Sequence, residues 1–203
     1  FRRYRRNEFV HSEELWMNLD AWAKGNGEGI PDDYVGNRIF SIDKTQGWEY
    51  VTITAAVKID EIIYSERVAR IRNAGIDYII KVCLSLFERF GAECFVVNNA
   101  ALRDVAIKLR DEHYLPAEYL TEMQMVSATS TTTALLITDR LKHDARDPLI
   151  KQQLPKTVVK NSGEGMKISI MHSTGDIDAV RSMAMAVYQA ERMEPQNYEL
   201  ILL

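Results

Sequence analysis

Cysteine is nearly absent from this chain of 203 residues: there are two, Cys83 and Cys94, both in apolar stretches. That excludes a disulfide-stapled scaffold and a cysteine zinc site, and it reads as two small buried hydrophobes in a reducing compartment. No apolar run approaches the ~18 residues of a membrane-spanning helix, so no membrane partner is expected. An excess of positive charge is missing as well. The formal net charge is −4, which withholds the usual bulk sign of a nucleic-acid partner, although such a partner needs basic side chains along one face only. There is no Gly-x-x-x-x-Gly-Lys-Ser/Thr, so no ATP-binding phosphate loop is expected. The opening Phe-Arg-Arg-Tyr-Arg-Arg has neither an initiator Met nor a signal-peptide layout, so the chain reads as part of something longer. Internal repeats and low-complexity tracts are also lacking.

What is present suits one generous domain. Apolar residues make up 46% and charged residues 27%, the balance of a soluble globular protein with a buried core. Basic residues cluster at Arg2, Arg3, Arg5 and Arg6, at Arg67, Arg70 and Arg72, and at Lys156, Lys160 and Lys167. Each cluster reads either as a nucleic-acid contact or as solvated charge.

Residues 12–23 have the pattern of a short amphipathic helix capped by Ser12, with Glu13 and Glu14 in its first turn. Residues 24–36 hold four of the ten glycines and read as a linker. Three strand-like runs follow, Arg38 to Asp43, Tyr50 to Val57 and Glu61 to Val68, in the manner of an antiparallel meander. A helix is expected from about Ile76 to Phe90, ended by Gly91. A buried strand should span Cys94 to Val97, then a helix Ala101 to Glu112, a possible strand Glu118 to Met123 and a helix Thr132 to Lys142. Thr157 to Lys160 and Lys167 to His172 flank a hairpin signal, and a last helix is expected from about Gly175 to Glu191. A meander feeding alternating strands and helices is the order of ribonuclease H-like domains: an α/β fold with a mixed central sheet flanked by helices. Several folds share that order.

Five stretches, in sequence order, resemble the C-terminal nuclease domain of the large terminase subunit of tailed phages. Phe1 to Phe9, with Glu14-Leu15-Trp16 and Trp22, resembles the segment joining that family's packaging ATPase to its nuclease. Phe40-Ser41-Ile42-Asp43, with Glu49 and Thr52, resembles its first acidic motif. Val96-Val97-Asn98-Asn99 falls where the second belongs. Leu141-Lys142-His143 and Asp147-Pro148-Leu149 resemble the stretch before a late hairpin, and Gly175-Asp176-Ile177-Asp178-Ala179-Val180 resembles the third motif.

The resemblance implies residues 1–36 as a linker segment from an upstream ATPase and 37–203 as a ribonuclease H-like nuclease domain. It implies a metal-dependent endonuclease cutting concatemeric double-stranded DNA in the host cytoplasm. The portal and the small terminase subunit would be partners of the full-length protein, and the isolated domain a monomer. Two-metal hydrolysis needs hard oxygen ligands for two Mg²⁺ or Mn²⁺ ions about 4 Å apart. Asp43 and Asp178 are the implied ligands, with Glu49 and Asn98 beside them. Lys44, Lys156, Lys160 and Lys167 are candidates for holding DNA, and Asp176, His143 and His172 for supporting the ligands from behind.

Asn98 departs from the family, which usually has Asp there. Either another acid compensates (Asp104, Glu122 or Asp139), or the protein is an inactivated variant, or the domain has lost cleavage and remains as a DNA-binding or docking module. Blander readings stand beside these. Asp43 also suits the opening of the Lys44-Thr45-Gln46-Gly47 turn. Ser173 and Asp176 have capping-box spacing, with Asp178 in the same first turn. Glu49 suits solvent, and His143 suits a hydrogen-bonded role.

Overall fold

In the computed structural model, residues 14–163 and 165–193 are described. The arginines at 2, 3, 5 and 6, the cap expected at Ser12 with Glu13, and the Phe1 to Phe9 resemblance lie outside them.

The chain opens with β1 (Glu14–Leu15), α1 (Leu19–Ala23) and β2 (Asn26–Gly27), followed by the long strands β3 (Arg38–Lys44), β4 (Tyr50–Ile59) and β5 (Ile62–Arg72). Next come α2 (Ile76–Phe90), β6 (Ala92–Val97), α3 (Arg103–Asp111), β7 (Ala117–Tyr119), α4 (Glu122–Ile137) and β8 (Leu141–Asp144). It closes with α5 (Pro148–Gln153), the hairpin β9 (Val158–Ser162) and β10 (Gly165–Ile168), and α6 (Asp178–Arg192). Seven strands form one sheet in the order β2-β8-β5-β4-β3-β6-β7. β3, β4 and β5 pair antiparallel, while β6 joins β3, and β7 joins β6, in parallel. β1, β9 and β10 form a second, smaller sheet.

Alternation along the strands assigns the two faces of the large sheet. Phe40, Ile42, Ile53, Phe95 and Val97 pack with Ile79 and Cys83 of α2 and Val105 and Leu109 of α3. Ile39, Ala56, Cys94 and Val96 pack with Met125 of α4 and Met183 and Val187 of α6. By the same parity, Ser41, Asp43, Thr52, Thr54 and Asn98 lie on the α6 side. α6 is therefore enclosed, and every residue from Asp178 to Val187 is buried.

The α2 boundaries match the periodicity, with Gly91 taking φ +70° at the end. The other differences have local causes. α1 starts late because Asn18, not Ser12, caps it, its Oδ1 accepting from the Ala21 amide at 2.7 Å. Glu122 begins a helix instead of continuing a strand because Thr121 and Gln124 form a capping box. The hydroxyls of Thr129, Thr132 and Thr133 bond to carbonyls four residues back, so a Ser/Thr-rich stretch stays helical without orphaned polar groups. Leu141 and Lys142, expected to end a helix, instead belong to β8, which pairs with β5 and β2.

Residues 14–36 pack on the same body. Trp16 donates its indole N–H to Thr133 Oγ1 at 3.0 Å, and Trp22 is buried and stacks on His143 with ring centroids 3.8 Å apart. Gly25 permits this approach: a Cβ there would stand 2.6 Å from Leu136 Cδ2 and 2.8 Å from the Leu141 carbonyl oxygen.

Candidate functional site

Strand parity brings Asp43 at the end of β3, Thr52 opposite it on β4, and Asn98 just past β6 to one mouth of the sheet. The first turn of α6 supplies Asp178 and Arg181 to the same place. All five side chains are buried.

Arg181 ties the group together. Its Nη1 donates to Asp43 Oδ2 at 2.9 Å and its Nη2 to Asn98 Oδ1 at 2.6 Å. Asn98 turns its own N–H toward the Leu120 carbonyl at 2.8 Å, so its oxygen faces the guanidinium. Burial pushes the Asp43 carboxyl up to about 6 from an ordinary 3.8, against the pull of Arg181. Asp43 Oδ1 is buried and has no hydrogen-bond partner. Asp178 is fully engaged: Oδ2 accepts from the Thr52 hydroxyl, and Oδ1 accepts from Gln153 Nε2 at 2.7 Å. The same Gln153 side chain accepts from the Ala179 amide at 2.8 Å and the Val180 amide at 3.4 Å. It thereby supplies the cap that α6 lacks locally. The capping box expected from Ser173 and Asp176 does not form; Ser173 Oγ instead donates to the Ser169 carbonyl at 2.6 Å.

Further along α6, Ser182 Oγ lies 3.0 Å from the Ser41 carbonyl oxygen and 2.9 Å from Thr54 Oγ1. Small hydroxyls here let the helix backbone approach the sheet closely.

The other expected residues are spread more widely. Glu49 is in the exposed turn before β4, its carboxylate paired with Arg72 at 3.3 Å. Of the three acids considered as replacements for the missing Asp, Glu122 is the one brought near. It pairs with Lys167 and lines, with Asn98, Arg181, Lys167 and Ser169, a cleft of about 320 Å³. The Lys167 bond holds the Glu122 carboxyl below its ordinary range, opposed by burial and aided further by Lys167's charge, Asn98 and Arg181. Asp139 pairs with Lys142 on the surface, and Asp104 is exposed on α3. Lys160 and Lys167 face each other across the β9–β10 hairpin, while Lys44 lies over the Trp48 ring, 4.9 Å from its centroid. Lys156 is half-buried beside Gly175. Asp176 is exposed, and His172 Nδ1 lies 2.8 Å from Ser169 Oγ.

His143 lies across the fold from this mouth, under Trp22, where its Nε2–H donates to the Trp22 carbonyl at 2.9 Å. Burial pushes its imidazole below the ordinary 6.5. The unfolded ring titrates near 6.5. The stability tied to the neutral ring is thus complete above about pH 6.5 and is lost as pH falls through the lower folded value. Tm is expected to drop as pH falls below about 7 and on through the lowered folded value, and His143→Gln to flatten that part of the profile. An equally steep profile in the variant would assign the drop to other groups.

Sequence reasoning did not single out Arg181 or Gln153. The signal for Arg181 was available: it is a lone cation inside Ile177-Asp178-Ala179-Val180-Arg181-Ser182-Met183-Ala184, where the neighbours other than Asp178 are small or apolar. Gln153 left no such mark.

A two-metal centre does not fit these residues as packed. Two carboxylates, one of them with both oxygens engaged, face an amide and a guanidinium. Among the described residues, no three His, Cys, Asp or Glu side chains are grouped to hold an ion. Among those residues, too, no helix is long and apolar enough to cross a membrane.

No family model matches the chain, and no curated protein matches it. Solved structures do. The large terminase of bacteriophage HK97 superposes with a TM-score of 0.70 at 14% identity, over 88% of this chain and 44% of that one. The large terminase nuclease of thermophilic phage G20c with bound magnesium gives a TM-score of 0.54 at 18% identity, over 80% of this chain and 85% of that one. The same nuclease with bound cobalt gives 0.52 at 17% identity, over 80% and 85% of the two chains. This chain therefore spans less than half of the HK97 protein and most of the G20c nuclease.

Proposed function

We propose, from the premise that this chain has the ribonuclease H-like fold of phage terminase nuclease domains, that it serves a viral DNA-packaging terminase by holding double-stranded DNA beside the Asp43–Asn98–Arg181 mouth, without two-metal cleavage. The observation that carries this reading is the position of Arg181 between Asp43 and Asn98, where its charge answers the carboxylate that an ion would otherwise need. The cleft beside it is bordered by Lys167, with Lys160 opposite on the hairpin, so phosphates have cations to meet. In the full-length protein this unit would work downstream of a packaging ATPase, with the portal and small terminase subunit as partners, in the host cytoplasm. The isolated unit would be a monomer.

A second reading keeps the metal-dependent endonuclease, with Mg²⁺ or Mn²⁺. It is favoured by the unpartnered Asp43 Oδ1 and by the magnesium and cobalt bound to the G20c nuclease. It requires Arg181 to leave and Glu122 to close in.

Two assays separate the readings. In gel retardation without divalent ions, linear duplex is expected to shift. Lys160→Gln and Lys167→Gln should each weaken the shift and lower its salt slope by about one for each phosphate left without its lysine. In a nicking assay with Mg²⁺ or Mn²⁺, supercoiled plasmid is expected to stay intact. Cleavage that Asp43→Ala abolishes would establish the second reading instead.

A further inference from the structure

We infer that Arg181 is the resident cation of this mouth: its guanidinium takes the place between Asp43 and Asn98 that a divalent ion would need, so the chain does not load metal there. This rests on the proposed loss of two-metal cleavage and gives it a cause.

The guanidinium contacts both side chains at once, at 2.9 Å and 2.6 Å, and is itself buried among them. Arg is suited to this because its planar fork offers several fixed donors and keeps its charge when buried. Asn98, in turn, is the residue such an arrangement calls for. Its oxygen accepts from Arg181 while its N–H donates to the Leu120 carbonyl at 2.8 Å. A carboxylate has no N–H to give, so it would set an oxygen against that carbonyl. The departure at Asn98 and the cation at Arg181 thus belong to one hydrogen-bond chain, Asp43–Arg181–Asn98–Leu120. Asp178 is held by protein donors, Thr52 and Gln153, and needs no ion to orient it. Among the described residues, Asp43 Oδ1 is the one buried carboxylate oxygen without a partner. A hard divalent ion seeks about six oxygen ligands, and a guanidinium bonded to the other oxygen of the same carboxylate repels it.

Arg181, more than Asn98, is then the reason metal is excluded, and this ordering can be tested on the folded protein without any activity. Mn²⁺ binding would be followed by electron paramagnetic resonance and by thermal unfolding, with circular dichroism to check the fold. The set comprises wild type, Asn98→Asp, Arg181→Lys, Arg181→Met and Arg181→Met with Asn98→Asp. Wild type, Arg181→Lys and Asn98→Asp are expected to bind no Mn²⁺ in the millimolar range and to show no Tm change. The double variant is expected to bind Mn²⁺ and gain roughly 5–10 °C in Tm at a hundredfold excess over Kd. Arg181→Met alone should bind more weakly than the double variant.

Mn²⁺ uptake by wild type overturns the inference, and that arm needs no variant to fold. Uptake by Asn98→Asp alone overturns it too, because then the amide and not the arginine excludes the ion. A folded double variant that binds nothing means the position is not a cation site, which also ends the inference. DNA retardation is read without metal, so failure of the DNA-holding proposal shows there and leaves these outcomes independent.

Discussion

Arg181→Ala is expected to lower the free energy of unfolding by about 3–5 kcal/mol near neutral pH, the usual cost of leaving one partner of a buried ion pair alone. The pair is Arg181 Nη1 and Asp43 Oδ2 at 2.9 Å, with both side chains almost wholly shielded from water. The pH dependence carries a definite sign. The folded Asp43 carboxyl already titrates at about 6, above its ordinary 3.8, and without Arg181 it moves further up. Folded protein then holds a proton that unfolded protein has released, so the loss is largest at neutral pH and above. It fades as pH falls to about 6, below which the carboxyl is protonated in both folded proteins. Urea unfolding of both proteins across that range measures the difference directly. A loss below about 1 kcal/mol at neutral pH would mean that the pair behaves like a surface contact. Replacing both partners, Asp43→Leu with Arg181→Met, is expected to recover much of the loss, since no buried charge is then stranded.

Trp22→Ala is expected to destabilise by a similar ~3–5 kcal/mol, the range for removing a large buried aromatic. Trp22 is 2% exposed and covers His143. The result bears on domain organisation, because Trp22 lies within the segment 1–36 expected to be a linker. If residues 14–36 unfold with the rest, the midpoint of the whole urea transition moves. If they form a separate tether, hydrogen exchange rises at Asn26 and Gly27 while the main transition stays in place. Leu19→Ala, on the same short helix but 48% exposed, is the control and should stay within about 0.5 kcal/mol.

Much of the fold was legible because alternation and helical period are local. The three meander strands and α2 appear where Val, Ile, Thr and Tyr alternate or recur. Residues 122–131 and 138–144 were not legible in this way: the helix expected from Thr132 to Lys142 meets α4 only over 132–137. Their helix is rich in Thr, and the hydroxyl-to-carbonyl bonds that make it tolerable are invisible without the backbone. β8 is four residues long and is defined by its neighbours.

The site divided along the same line. Asp43, Asn98 and Asp178 were found from motif resemblance, and they do meet. Glu49 was placed near them by the same resemblance, yet the turn carries its side chain to Arg72. Arg181 was passed over, because a 3.6-residue period says which face of the last helix is buried and nothing about what charge is met there. Gln153 was unreadable for a plainer reason: its partners Asp178, Ala179 and Val180 are distant in sequence and joined only by the fold.

The burial of α6 on all sides has a consequence for the order of events in the cell. It is the last of the described elements to leave a ribosome, yet the large sheet, α4 and α5 close around it. At about 5–20 residues per second, several seconds pass between synthesis of Asp43 and synthesis of Arg181. Through that interval the polar row Ser41, Asp43, Thr52 and Thr54 has no α6 side chain to meet. The contacts that Asp178 and Arg181 make at the mouth therefore form only once α6 has been made, and a chain released before then lacks them.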